Sequence, residues 1–387
     1  MPSIVIIVLG LYLLSHIYLY LRLRSALPRR RGPRWAAALI LLFLFSTLFL
    51  AGFGRRFLSP EMGGLFWSAG AWWFGFVFYA IGALLLLDIA RLLIWLGRLL
   101  FLRGPGRSRF PAAGLKSLLA VGTAVVLLLL AGHLNARKLR VVSHPLRLKA
   151  SCGPLEQLDL VLISDLHLGV LVNRGLLGQV VREVEALRPD LIVLAGDIVD
   201  RDILILEDEE VGELLSRLRA PLGVYAVTGN HEFIAGSDRA VEYLSRFGII
   251  FLRDRAVKIG ESFYLAGRED VTVRRRGGVE IPLENIMAVI DRDCPVILLD
   301  HQPRRIEEAA EEEVDLILCG HTHHGQFFPL NLITAALYPV SWGYGTMGAT
   351  AIYVSGGAGT WGPPVRIGNT PEIVYLQIEF TEPGSDL

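Results

Sequence analysis

Residues 314–325 of this chain read VDLILCGHTHHG, an apolar run that ends in three histidines. A run of this kind, bounded by turn residues, predicts a buried strand over Val314–Cys319. Open α/β sheets place their ligands beyond the carboxyl ends of the strands, which is where His321 and His323 follow. Because these histidines are two positions apart, one short loop can deliver two imidazole nitrogens to one pocket. The pair is a weak indication by itself, since tight loops collect Gly and His for many reasons.

Four more apolar runs in the second half of the chain end in polar clusters of the same kind. The predicted strands are Leu158–Ile163, Leu191–Ala195, Gly223–Thr228 and Pro295–Leu299. The sequences that follow them are SDLHLG (164–169), GDIVD (196–200), GNHE (229–232) and DHQP (300–303). Helical periodicities lie between these strands, an alternation that predicts α/β layering.

The residue types in these clusters favour a narrow chemistry. Asp, His and Asn side chains without thiolates suit Mn, Fe, Zn or Mg, with Mn favoured here. Two metals about 3.5–4 Å apart need an anionic ligand that can bridge them, and a carboxylate at a strand end can do so. Such a pair clamps a phosphoryl group and activates a water. A histidine of near-neutral pKa suits the acid that protonates the leaving oxygen.

The first 140 residues have a different composition. The chain of 387 residues is 52% hydrophobic, and its mean hydropathy is +0.47. Four stretches of about 20 residues or more lack charged side chains, the length that spans a bilayer as helix. They are Met1–Leu21, Trp35–Gly54, Met62–Leu87 and Ser117–Ala136. We therefore predict a membrane domain with four transmembrane helices over residues 1–138 and a second domain over residues 139–387.

The arginines between these stretches predict an orientation. Six lie after the first stretch (Arg22, Arg24, Arg29, Arg30, Arg31 and Arg34). Five Lys or Arg lie after the third (Arg98, Arg103, Arg107, Arg109 and Lys116), and only Arg55 and Arg56 lie after the second. The positive-inside rule puts the first and third loops in the cytoplasm. Both termini, and with them the second domain, are then expected outside the cytoplasm.

Charge and cysteine content exclude some functions. Up to Arg140 there are 17 Lys and Arg against two acids, whereas the remainder carries 21 basic and 36 acidic residues. An acidic domain does not fit a nucleic-acid partner. Cys152, Cys294 and Cys319 are far apart and odd in number. We expect from them neither a disulfide framework nor a thiolate zinc site.

Taken together, the polar clusters form an ordered series of motifs. The series is Asp-x-His at 165–167, Gly-Asp-x-x-Asp at 196–200, Gly-Asn-His-Glu at 229–232, a lone His301 and Gly-His-x-His at 320–323. It resembles the calcineurin-like metallophosphoesterase superfamily over roughly residues 150–380. Residues 354–371 (VSGGAGTWGPPVRIGNTP) are similar to the tail of its membrane-anchored bacterial branch. The resemblance implies a four-layer αββα sandwich of two packed sheets.

The same resemblance implies a role for individual residues. Seven would be metal ligands: Asp165, His167 and His323 for one ion, Asn230, His301 and His321 for the other, and Asp197 as the bridge. His231 would be the general acid that faces the phosphate. Asp200 and Glu232 would orient ligands, with a helix N-cap and a surface acid as their respective alternatives.

Three further features of the sequence do not have a single assigned role. His324 stands where the branch has the first of two paired glycines. If that position needs a positive φ, a His is tolerated there at some cost in free energy. Its side chain either touches the substrate or points to the surface. Arg268, after the run Phe263–Ala266, is a candidate phosphate contact. The apolar segment 327–347 either packs over the sheet edge or forms a lid for an acyl or prenyl tail.

These observations predict a membrane-bound phosphoesterase with two divalent metal ions, acting by metal-activated water on a phosphate ester or pyrophosphate, with a lipid as the candidate substrate. The alternatives are a non-catalytic membrane sensor of a phosphate ligand and a phosphodiesterase of soluble nucleotides. A transporter is disfavoured, because the apolar stretches lack the interrupted, repeated pattern of transporters. The sequence predicts no oligomeric state.

Overall fold

The computed structural model describes residues 2–54, 57–101, 114–172, 174–201 and 209–381. The chain divides into two compact units, Met1–Gly132 and His133–Leu387. Each unit is described by itself.

The apolar first part of the chain forms long helices. They are α1 (Pro2–Ala26), α2 (Arg31–Phe53), α3 (Pro60–Phe101) and α4 (Leu115–Ala136). All four are long and apolar enough to cross a membrane. Many of their large apolar side chains are exposed, such as Leu65 and Leu86 on α3. That surface suits lipid and not water.

One helix extends further than its apolar stretch, and several loop arginines are outside the described residues. Helix α3 continues to Phe101, whereas its apolar stretch ends at Leu87. Its last three turns, after Asp88 and Arg91, are again rich in Leu and other apolar residues, so the helix continues although these charged residues interrupt the apolar stretch. Arg55 and Arg56, and Arg103, Arg107 and Arg109 of the loops used for orientation, lie outside the described residues.

The second unit is built on two sheets of six strands each. The first has the order β1-β12-β2-β3-β4-β5 and the second the order β10-β11-β9-β8-β7-β6. The strands are β1 (Arg140–Lys149), β2 (Gln157–Ile163), β3 (Leu191–Ala195), β4 (Val224–Val227), β5 (Ile249–Phe251), β6 (Arg255–Ile259), β7 (Phe263–Gly267), β8 (Val296–Leu299), β9 (Leu316–Cys319), β10 (Gly343–Met347), β11 (Thr350–Val354) and β12 (Glu372–Thr381). In each sheet the central strands are parallel.

The helices of this unit are mostly short. They are α5 (Arg174–Leu187), α6 (Glu209–Ser216), α7 (Asn230–Ala235), α8 (Ser237–Ser245), α9 (Thr272–Arg275), α10 (Leu283–Met287), α11 (Ile306–Glu311) and α12 (Leu330–Leu337). A single 3₁₀ turn covers His323–Gly325.

Alternation along the strands explains why the two sheets pack together. On β2, Leu158, Leu160 and Leu162 face the second sheet and share one core with Phe263 and Ile297. Val161 and Ile163 point the other way, into a second core with α5 and α6. The far side of the second sheet packs against α10 and α11. This order of helix, sheet, sheet and helix confirms the predicted four-layer αββα sandwich.

The predicted strands are present, with small shifts at their starts. The strand expected over Val314–Cys319 begins at Leu316 as β9. Asp315 is not in the strand, because its carboxylate accepts a hydrogen bond from Val296 N at 2.7 Å and its own N–H bonds to Val296 O. It therefore ties the start of β9 to β8.

The expectation about the cysteines was wrong. Cys152 and Cys294 are joined in a disulfide across 142 residues of sequence, and Cys319 is free and buried. Cys152 precedes β2 of the first sheet and Cys294 precedes β8 of the second. The disulfide therefore links the two halves of the sandwich, and sequence spacing could not reveal the pair.

We predict that the disulfide contributes measurably to stability. Closing a loop of 142 residues restricts the unfolded chain, so Cys152→Ser should lower the free energy of unfolding by about 2–5 kcal/mol. Thermal melts of wild type and variant would measure this difference. Cys319→Ala serves as the control that keeps the bond. If thiol reagents label Cys152 and Cys294 in the denatured, unreduced protein, the bond does not form.

Candidate metal centre

Loops from both sheets deliver the predicted ligands to one place. Asp165 and His167 follow β2, Asp197 follows β3, and Asn230 and His231 begin α7 after β4. The other three come from the second sheet, His301 after β8 and His321 and His323 after β9. Strand ends of two different sheets therefore converge, and the site depends on how the sheets pack.

The first group of ligand atoms lies around Asp165. The Nε2 atoms of His167 and His323 are 2.9 Å apart, and Asp165 Oδ1 lies 3.3 Å from His323 Nε2. All three side chains are buried. Asp165 is held by the backbone N–H of His321, which donates to its carboxylate at 3.0 Å.

The second group lies around His301. Its Nε2 is 3.2 Å from Asp197 Oδ2 and 3.3 Å from Asn230 Oδ1. His321 offers a ring nitrogen to the same group. His301 Nδ1 lies 2.7 Å from Ala195 O and can donate to it, which leaves Nε2 free to bind a metal.

One oxygen joins the two groups. Asp197 Oδ2 is 3.8 Å from His167 Nε2 in the first group and 3.2 Å from His301 Nε2 in the second. The other carboxylate oxygen, Oδ1, accepts a hydrogen bond from His231 N at 2.8 Å. The backbone thus orients the carboxylate so that Oδ2 faces both groups, as a bridging ligand requires.

The donor set fits two divalent cations. Burial, together with the neighbouring His231, lowers the pKa of His167 to about 3, and burial lowers the pKa of His323 as well. Burial opposes ionisation of Asp165, but His323 still lowers the pKa of this carboxyl below its usual range. Two neutral imidazoles and a carboxylate therefore direct lone pairs at one point, which is the environment of a metal ion.

The backbone at the ligands is strained. Five of the seven predicted ligands have positive φ, namely Asp165 (52°), His167 (49°), Asp197 (51°), His321 (73°) and His323 (49°). Such conformations are costly for residues with a Cβ and cluster at functional sites. Gly229 is required by close approach, because a Cβ there would lie 2.2 Å from Asp197 Oδ1. The local backbone therefore keeps the predicted ligand side chains in position at the cost of conformational strain.

Glu232 lies beneath the bridge and is not the surface acid of the alternative. It is fully buried. Its carboxylate accepts hydrogen bonds from the N–H groups of Asp197, Gly229 and Val199 at 2.7–2.9 Å. Burial, followed by the nearby Asp197, raises the pKa of Glu232 to about 7. Glu232 therefore fixes the Asp197 loop to the Asn230 loop.

His231 and Asp200 form a pair at the edge of the site. His231 Nδ1 lies 3.0 Å from Asp200 Oδ1 and 2.8 Å from Asp200 O. Burial alone would lower the pKa of His231, but the carboxylates of Asp197 and Asp200 raise it to about 9. The imidazole is therefore protonated near neutral pH, and cations on Asp197 would lower this pKa again.

The two remaining candidates do not join the cluster. Arg268 is buried, and its guanidinium faces Glu308 at 2.7 Å and Asp300 at 3.6 Å. Its charge is met by carboxylates, so it does not present a free cation to a phosphate. His324 has φ 46° and ψ 41°, the left-handed position that its paired-glycine equivalent implies. Its ring stacks flat on Trp342, with centroids 4.3 Å apart.

Arg366 lies in the tail segment 354–371, and the sequence alone assigned it no role. It is fully buried and donates to the carbonyl oxygens of Gly356 and Gly357 at 2.6 and 2.9 Å. Its Nη2 also lies 3.3 Å from His323 Nδ1. Arg366 thus holds the tail loop against His323, a predicted metal ligand. The signal was present, since Arg366 is the first charged residue after an uncharged stretch from Leu316 to Val365.

A pocket of about 320 Å³ opens over the cluster. Part of its lining, here called the metal-binding wall, consists of predicted ligands with His231, and another part, the apolar wall, consists of Leu330, Ile333, Thr334 and Leu337 of α12 with Tyr338 and Trp361. Phe327, the first residue of the segment for which packing and a lid were both open, is buried and packs against Trp361. The pocket therefore has a metal-binding wall and an apolar wall.

Known proteins match the same part of the chain. The sequence model of the calcineurin-like phosphoesterase family covers residues 158–325. An uncharacterized metallophosphoesterase of Helicobacter pylori is 32% identical over 274 residues, covering 68% of this chain and 71% of that protein. One from Aquifex aeolicus is 34% identical over 250 residues, covering 64% of this chain and 94% of that protein.

Two further similarities are more partial. A zebrafish transmembrane protein with metallophosphoesterase domain is 34% identical over 237 residues, covering 58% of this chain and 54% of that protein. Among solved structures, a 5′-nucleotidase precursor from Thermus thermophilus is 14% identical, with a TM-score of 0.35, and covers 57% of this chain and 55% of that one. The extent of the matches to the Helicobacter and Aquifex proteins shows that this chain is a member of the calcineurin-like metallophosphoesterase family of metal-dependent hydrolases.

Proposed function

We propose that the protein is a membrane-bound phosphoesterase that hydrolyses a phosphate ester or pyrophosphate of a lipid. The observation that carries the proposal is the position of Asp197, whose Oδ2 lies within 4 Å of a ligand nitrogen in each of two groups. When bound, two divalent ions, for which we propose Mn, would polarise the phosphoryl oxygens and lower the pKa of the attacking water.

The chain supplies a proton for the leaving group. His231 lines the pocket, and its Nδ1 is held by Asp200. Nε2 is therefore the atom left to donate a proton to the leaving oxygen. A non-catalytic sensor would have no use for an imidazole that Asp200 holds beside the predicted ligands with Nε2 free, which favours hydrolysis over binding alone.

The pocket favours a lipid over a soluble nucleotide. Its apolar wall is formed by side chains of α12, among them Leu330, Ile333 and Leu337. Among the described residues that line the pocket there is no Lys or Arg. A polyphosphate chain would therefore find no cationic partner beyond the metal ions, whereas a hydrocarbon tail would find an apolar wall.

Two features support a catalytic unit outside the cytoplasm. The arginine-rich loop between α1 and α2 is expected in the cytoplasm by the positive-inside rule. The Cys152–Cys294 disulfide requires an oxidising compartment, which the cytoplasm is not. The two features are independent of each other and favour the same side of the membrane.

The assigned roles predict different effects for the bridge and the acid. Asp197→Asn should reduce occupancy of both metal positions and abolish turnover, because both groups share this carboxylate. His231→Ala should keep both metals and slow esters with poor leaving groups by about 10²–10⁴-fold, with a smaller effect on activated aryl esters. Metal analysis of the purified variants, with rates for a leaving-group series, would test this. Equal metal loss in both variants would contradict the roles.

The orientation predicts the behaviour of topology reporters. A reporter enzyme active only outside the cytoplasm should be active when fused after Leu387 and inactive when inserted at Arg31. Measured activities normalised to the amount of fusion protein would show this. The reverse pattern would put the catalytic unit in the cytoplasm.

The apolar wall predicts a selective effect on long-chain substrates. Ile333→Ser, which changes the wall without touching a ligand, should lower kcat/KM for a long-chain phospholipid monoester in mixed micelles about tenfold. The loss for a short-chain analogue with the same headgroup should be much smaller. Val289→Ser, an exposed change elsewhere, is the control. Equal losses for both substrates would argue against a tail-binding wall.

A further inference from the structure

The exposed apolar surface of the second unit is concentrated in one segment. Eleven strongly exposed large apolar side chains are described between Arg140 and Thr381, and six of them lie within residues 328–344. These six are Phe328, Leu332, Ile333, Leu337, Trp342 and Tyr344. The sequence from Leu316 to Val365 contains no Asp, Glu, Lys or Arg. In a domain that is otherwise rich in acids, this patch is uncharged and unsuited to water.

Helix α12 is the centre of this patch. Its sequence is LNLITAAL, and it has no buried residue. Leu330, Ile333 and Leu337 line the metal pocket, whereas Leu332, which is 61% exposed, does not. Because α12 buries no side chain in the core of its own unit, the hydrophobic effect favours a partner that covers its apolar surface.

The flanking aromatic residues match a membrane interface. Trp342 is 45% exposed, while its Nε1 donates to Glu372 Oε1 at 3.1 Å and its ring stacks on His324. Tyr344, on β10, is 46% exposed. Trp and Tyr with one apolar and one polar side are enriched at the level of lipid headgroups.

The path of the chain also supports the membrane as the partner of this patch. The second unit begins at His133, near the end of a helix that can cross a membrane. Its first residues bond to the tail loop: His133 Nδ1 lies 2.8 Å from Pro364 O, and Asn135 Nδ2 donates to Asn369 O at 2.6 Å. In the same loop, Ile367 O accepts from Phe328 N at 2.8 Å. The loop therefore connects the start of the unit to the start of α12.

We infer that α12, with Phe328, Trp342 and Tyr344, inserts into the membrane leaflet on the side of the catalytic unit. The side bearing Leu332 lies among the acyl chains, and the side bearing Ile333 and Leu337 forms the wall along which a lipid reaches the metals. The first statement is independent of catalysis, and the second rests on the proposed function. Insertion also explains why the patch carries no charge, since a charged side chain at this depth is costly.

Insertion can be measured without catalysis. Full-length protein with Leu332→Cys, labelled with the fluorophore NBD, is reconstituted in phosphatidylcholine vesicles. Cys152 and Cys294 are joined and Cys319 is buried, so the native cysteines do not compete for label. Val289→Cys, 74% exposed outside the patch, is the matched control. We expect blue-shifted emission and quenching by bromine-substituted acyl chains at residue 332, and neither at residue 289.

Two results would overturn the inference. The first is equal emission and equal quenching at residues 332 and 289. The second is a blue shift at residue 332 that disappears at high lipid-to-protein ratio and is insensitive to bromine, which would mean that a second copy of the chain covers α12.

Hydrolysis rates on two substrates test membrane docking separately from substrate binding in the pocket. Leu332→Ser should reduce hydrolysis of a vesicle-embedded phospholipid monoester about tenfold, since one inserted leucine is lost. Turnover of para-nitrophenyl phosphate should stay within about twofold, because Leu332 does not line the pocket. Val289→Ser should change neither rate.

The two hypotheses fail in different ways. Quenching at residue 332 in a protein that hydrolyses no lipid would support docking and refute the proposed substrate. Normal lipid hydrolysis without quenching would refute docking and leave the phosphoesterase proposal intact.

Discussion

The structure of the second unit depends on one carboxylate, Asp197, which must face ligands from two different sheets. Its Oδ2 is directed at both groups only because Oδ1 is fixed by the N–H of His231 and the loop itself by Glu232. That arrangement needs a bare backbone at Gly229, since a Cβ would collide with the carboxylate. The three residues Gly229, His231 and Glu232 belong to one short motif, so a single turn at the start of α7 positions the bridge. The motif is thus required by packing as much as by metal chemistry.

A buried site with this many charged groups is unfavourable for the folded protein unless cations fill it. Asp165 and Asp197 are both buried and ionised, and no Lys or Arg contacts either carboxylate in the part of the chain that the structure describes. The neutral imidazoles of His167 and His323 do not offset the charge of Asp165. In contrast, the raised pKa values of His231 and His301 show that these two imidazoles partly offset the charge of Asp197. Arg366 is a buried cation that interacts electrostatically with Asp165, but it donates most of its hydrogen bonds to backbone carbonyls. Two divalent ions would complete the balance of charge around these carboxylates, so we expect metal binding to stabilise the folded unit.

Local patterns in the sequence predicted the α/β layering, the long apolar helices and the position of each motif at a strand end, whereas the two packed sheets that bring the motifs together were implied only by the family resemblance. Apolar runs of four to six residues with turn residues after them define the strands, and motifs at strand ends must meet where parallel strands end. What failed depends on contacts distant in sequence. The partner of Cys152 is 142 residues away. Arg268 looked like a free cation until the fold placed Glu308 and Asp300 beside it, and Arg366 gained its role only when the tail loop packed on His323.

The ligand loop after β9 combines two requirements that rarely meet in one stretch. Its first part holds His321 and His323 in left-handed backbone conformations, each of which costs about 1–3 kcal/mol. The core between the sheets, where Leu316 and Leu318 are fully buried, must offset that strain. The next part, α12, has no buried residue and adds nothing to the core. Because α12 lies within a few residues of the predicted ligands and lines the pocket, we propose that it acts on the substrate and not in the core. The loop thus brings the predicted metal ligands and an apolar helix side by side, an arrangement that supports the proposed hydrolysis of a lipid phosphate at a membrane.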